Sequence, residues 1–147
     1  KSFTEYKNGV FNTTIDLNAD VLKYATQEYI LVTMYHEFIH AYLSYQVSTL
    51  PYDQYTAKFP KVSEYEVKDS NGNIIKKYAL IKDHKNYGSF IESLKNSIIS
   101  FNPVITSSYA EALAKNGIVE SLTENESKIN RNERDTRNNE YKGKKCP

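Results

Sequence analysis

The longest periodic stretch in the chain lies at residues 26–46, TQEYILVTMYHEFIHAYLSYQ. Ile30, Met34, Ile39 and Leu43 recur at helical spacing, and Leu31, Phe38 and Tyr42 fill neighbouring positions. That period predicts a long helix. An apolar surface this wide predicts that the helix runs through the centre of the domain. Ahead of it, VFNTTIDL at 10–17 is rich in β-branched residues and partly alternates, which predicts a strand. Asn18 and Asp20 supply N-cap or turn chemistry before VLKYA. After it, Pro51 and Pro60 mark a loop. VSEYEVK at 62–68 and NIIKKYAL at 73–80 flank Ser70-Asn71-Gly72, a hairpin signal. Asp83 suits the N-cap of a second long helix, HKNYGSFIESLKNSIISF, with Phe90, Ile91, Leu94, Ile98 and Phe101 at helical spacing and Pro103 beyond its end. Ser107 or Ser108 then caps a third helix, YAEALAKN, closed by Gly117 at C′. These elements predict a small α+β domain built round one central helix.

Charge divides the chain. Residues 1–123 hold 12 Lys/Arg and 13 Asp/Glu, whereas residues 124–147 hold 7 and 5 with few apolar side chains, chiefly Ile129 and Tyr141. The second segment is expected to be a solvated helix or tail, leaving 1–123 as the folded unit. With 147 residues and 39 % hydrophobic composition, the chain has material for one modest core. A formal charge of +1 argues against a dedicated nucleic-acid binder, and no apolar run suits a membrane span. The single Cys146 rules out an intrachain disulfide, a zinc ribbon and an iron–sulfur site.

The chemistry lies at residues 36–40, His-Glu-Phe-Ile-His, inside the central predicted helix. Residues i and i+4 share a helix face, so His36 and His40 can present nitrogens to one Zn²⁺ ion. Glu37 sits beside the ion without having to bind it. There it can take a proton from a zinc-activated water and return it to a leaving amine. A catalytic zinc takes three protein ligands, and His84 is the one remaining histidine. Glu111 in SSYAEALA ranks second as third ligand, and Asp83 third, being better suited to capping. Tyr87, three residues after His84, is a candidate donor to a developing oxyanion. The strand at 10–17 is a candidate partner for extended substrate, with a plain structural strand as the competing reading.

A strand, a helix bearing HEFIHAYL, and a later helix opening DHKNYGSFIESL together resemble the SprT-like zinc metallopeptidases, with the likeness greatest to those of Bacteroidetes type, where YAEALAKNGIVESL also has a counterpart. The resemblance covers roughly residues 10–122. It implies a zincin-like domain, one catalytic zinc on His36, His40 and His84, and hydrolysis of peptide bonds in a protein or peptide substrate. Many relatives carry a cysteine zinc ribbon that Cys146 alone cannot build, so a role on DNA–protein crosslinks is not carried over. A chain that begins at Lys1 and consists of a small catalytic unit is also similar to the toxin module of a larger secreted polymorphic protein. That likeness implies export and a neutralising immunity protein; the alternatives are a cytoplasmic location, and a binding module that recognises a partner without turnover.

Overall fold

The computed structural model describes residues 2–59, 62–68, 72–80, 84–119 and 121–147, with side chains described at 5, 7–59, 72–74, 90–119 and 121–147. The chain opens with a hairpin, strands β1 (Ser2–Lys7) and β2 (Val10–Ile15), paired antiparallel from Lys7↔Val10 to Ser2↔Ile15. Its two-residue loop is Asn8-Gly9, with φ of 53° and 77°. Positive φ at both positions matches the right-handed twist of the flanking strands, and Asn-Gly is the pair that tolerates it best. The second strand was expected from its side chains; the first was not, although Asn8-Gly9 announces it.

Helix α1 (Ala19–Tyr24) starts where Asn18 Oδ1 accepts the Asp20 N–H at 2.7 Å. Helix α2 (Gln27–Thr49) is capped by Thr26, whose Oγ1 accepts the Tyr29 N–H at 3.3 Å, and it stops at Leu50 ahead of Pro51. The segment between Pro51 and Pro60, expected as a loop, contains a short helix, α3 (Tyr52–Lys58), which buries Tyr55 and the adjoining Phe59. The second hairpin follows as expected: β3 (Val62–Lys68) pairs antiparallel with β4 (Ile74–Leu80). Helix α4 (His84–Phe101) buries Ile91, Leu94 and Ile98, while Phe101 is exposed with the Lys144 ammonium 4.5 Å from its ring centre. Asp83, the expected cap of α4, lies outside the described residues. Helix α5 (Ser107–Ala114) is preceded by Thr106 at the N-cap, one residue before Ser107 and two before Ser108, the two serines considered.

Helix α2 touches both hairpins, α4 and α5. Val32, Ile39 and Leu43 enter the core with Leu94, Ile98 and Leu113, while Phe38, Tyr42 and Tyr45 face outward beside β2. Neighbours on several sides explain why its apolar residues wrap the helix instead of forming one stripe. The domain is a mostly helical α+β unit. Among the described residues no helix is long and apolar enough to cross a membrane.

Residues 124–147 are not a solvated tail. Helix α6 (Glu124–Arg134) opens with a capping box in which Thr123 Oγ1 accepts the Glu126 N–H and Glu126 accepts the Thr123 N–H. It buries Asn130 and Glu133 completely or nearly so. Glu133 accepts from the Thr26 hydroxyl at 2.5 Å, the Tyr109 hydroxyl at 2.6 Å and the Lys142 N–H at 2.6 Å. The Gly143 N–H also donates to it, at 3.1 Å. Glu28, equally buried, accepts from Asn102 Nδ2 and from the Lys144 N–H, both at 2.7 Å. The Gln27 N–H donates to the Lys144 carbonyl at 2.8 Å, and Thr26 bridges Lys145 as a short antiparallel pair. A Cβ at Gly143 would overlap both carboxylates, so only glycine lets the strap this close. Burial and the neighbouring Glu133 carboxylate push the Tyr109 phenol well above its ordinary range. The segment is held by satisfied polar groups and not by apolar area, which is why its composition reads as solvent-facing.

Candidate metal centre

His36, Glu37 and His40 all lie on α2, one helical turn apart at the two ends of the motif. The two histidine rings stand edge to face, with centroids 4.4 Å apart and planes at 89°. Their Nε2 atoms are 2.9 Å apart. Two imidazole nitrogens bound to one tetrahedral zinc at 2.0–2.1 Å stand about 3.3 Å apart. At 2.9 Å the two Nε2 atoms are within hydrogen-bond distance of each other, and a small opening of the pair would accommodate an ion between them. Glu37 is 8 % exposed, so its carboxylate is held in a site poor in bulk water. The donor set fits the first two positions of a zinc site with a carboxylate beside it.

The remaining candidates fare differently. His84 is the first residue of α4, and its side chain, like those of Asp83 and Tyr87, is outside the described residues. Glu111 is on α5, where its Oε1 pairs with Lys115 Nζ at 2.7 Å. Lys115 also reaches Glu126 Oε1 at 2.8 Å. Among the described residues no three His, Cys, Asp or Glu side chains gather into a metal-holding group, so Glu111 is not brought to the histidine pair.

His36 also makes a contact that the motif did not foretell. Gly117, in the turn after α5, lies directly against the imidazole ring. Asn116 Nδ2 donates to the Tyr29 hydroxyl at 3.3 Å, tying that turn to α2. Helix α5 ends at a Lys115 C-cap, so Gly117 falls one position beyond the C′ expected for it. Its positive φ of 73° was legible in a glycine at a helix end; its approach to His36, 81 positions away in the chain, was not.

On the far side of α2, an apolar groove of about 520 Å³ is lined by Phe11 and Ile15 of β2 and by Phe38, Tyr42 and Tyr45. At 100° per residue these helical positions lie roughly 170° from the histidine face. The groove is therefore separate from the point on which His36 and His40 converge. Beside β2, β1 is the only strand paired to it among the described residues. No family model matches this chain, and neither the curated proteins nor the solved structures hold a significant match.

Proposed function

We propose that the protein is a zinc-dependent endopeptidase of SprT-like, zincin-like type. The observation that carries the reading is the 2.9 Å convergence of His36 and His40 Nε2 on a helix that also buries Glu37. His36 and His40 hold the metal, with His84 as third ligand. A zinc ion held there supplies a Lewis acid for the scissile carbonyl and brings the pKa of a water to about 7. Glu37 accepts a proton from the attacking water and passes it to the departing amine. Its burial keeps bulk water from competing for that proton. The substrate is a protein or peptide; as an exported effector the enzyme would also meet an immunity protein.

Glu37→Gln tests the reading. The amide preserves size and polarity but cannot act as a base, so zinc content and melting temperature should stay at wild-type values while hydrolysis of a broad peptide library drops by about 10²–10⁴-fold. Metal analysis and mass spectrometry of the digested library measure the two halves. Unchanged turnover would exclude Glu37 as base. A zinc-loaded wild type that cleaves nothing would favour a binding module, and full zinc in His36→Ala or His40→Ala would remove the site.

A further inference from the structure

We infer that Gly117 is a positioning residue for His36: the backbone of the turn after α5 packs against the imidazole face and fixes the plane of the ring, so that Nε2 stays beside His40 Nε2. The inference rests on the proposed zinc site. A Cβ at Gly117 would stand 2.7 Å from His36 Nδ1, 2.9 Å from Cε1 and 3.3 Å from Cγ. These distances place the Cβ above the face of the ring, over its Nδ1 corner, while Nε2 meets His40 at 2.9 Å. Gly117 thus covers one face of the ring, and only the lack of a side chain lets the turn come this close.

The turn is rigid enough for this work. The Asn116 N–H donates to the Leu113 carbonyl at 3.0 Å, and the Ile118 and Val119 N–H groups both donate to the Lys115 carbonyl at 3.1 Å. Ile118 is buried in the core, and Asn116 is joined to Tyr29 of α2 itself. A side chain at 117 has no free space to move into, so the ring must rotate, and rotation carries Nε2 away from His40. Backbone conformation alone does not explain this glycine. Gly9 has a similar φ, 77° against 73°, yet a Cβ there meets nothing within 4 Å.

That contrast supplies the control. Gly9→Ala carries a comparable backbone strain without touching His36, while Gly117→Ala adds the crowding. Gly117→Asn adds the same Cβ in a residue that accepts positive φ more readily, and so protects the folded population. The readouts are zinc affinity by chelator competition, the visible spectrum of the Co²⁺-substituted protein, and melting of the metal-free form. Both position-117 variants should bind zinc about 10–100-fold more weakly and show an altered Co²⁺ spectrum, with Gly9→Ala unchanged in both. Wild-type affinity and spectrum in a folded position-117 variant would overturn the inference alone, as would equal weakening by Gly9→Ala. Should both position-117 variants unfold, NMR of the metal-free wild type decides. Cross-peaks from the Gly117 α-protons to the His36 ring support the inference, and their absence overturns it. A wild type that binds no zinc would overturn the proposed function and this inference with it.

Discussion

Glu37 and Glu133 are both glutamates buried on helices, and their surroundings differ. Glu133 is saturated: two hydroxyls and two backbone N–H groups donate to it, so it holds the structure and has no chemistry left to do. Glu37 adjoins a histidine pair whose nitrogens converge. Glu133→Gln keeps the shape but replaces one accepting oxygen by a donor that faces other donors. Losing hydrogen bonds to a buried charged group costs roughly 1.5–3 kcal/mol each, so urea unfolding of Glu133→Gln should show a clear loss of stability with little change in zinc content. The proposed third ligand is also tested residue by residue. Glu111 is engaged with Lys115 and stands apart from the histidines. Zinc analysis of the two alanine variants should therefore find the metal lost or severely weakened in His84→Ala and retained in Glu111→Ala. The reverse outcome would give the third position to Glu111.

At the level of elements, Lys115 is one of the side chains that join the end of α5 to α6, with Tyr109 and Asn130. Lys115 pairs with Glu111 on its own helix and with Glu126 in the first turn of α6. The Lys115 hydrogen bond, helped by Thr123, holds the Glu126 carboxyl down at about 2, below its ordinary 4.5. A carboxylate with a depressed folded pKa stabilises the native state above its unfolded pKa. That contribution shrinks as pH falls from 4.5 toward 2, where the folded carboxylate is itself protonated. Thermal melts should show wild-type stability declining through this window, with a shallower decline for Glu126→Gln. Parallel slopes for the two proteins would mean that the pair contributes nothing to the acid limb.

In the whole molecule, the strap at residues 142–145 closes against the N-terminal end of α2, the helix that bears the metal motif. A chain ending at Leu122 loses α6 and the strap together. Glu28 then keeps its Asn102 partner but loses the Lys144 N–H, and Thr26 and Tyr109 lose the Glu133 acceptor. Several such losses amount to several kcal/mol, a large share of the 5–15 kcal/mol that holds a domain of this kind. Circular dichroism of that chain should show a melting temperature lowered by many degrees or no cooperative transition. A melting temperature within a few degrees of the full chain would show that the strap is dispensable.

The long central helix, β2, the second hairpin and the helices α4 and α5 were all legible in the sequence, because each is announced by local spacing: apolar positions at helical period, β-branched runs between turn residues, caps before and glycine after. Two local signals went unread, Asn8-Gly9 for β1 and Thr123 with Glu126 for α6. Neither is hydrophobic, and a reading led by apolar pattern passes over them. Other features had no local signal at all. That Glu28 and Glu133 are buried together, 105 positions apart in the chain, follows from donors contributed by α5, the end of α4 and the C-terminal strap. That Gly117 rests on His36 follows from how the turn after α5 packs over α2. Sequence by itself determined which histidines can share a helix face, since the i, i+4 spacing is a property of one helix. Tertiary structure alone decided what holds those residues in place, since a polar group can be buried only where distant parts of the chain bring it partners.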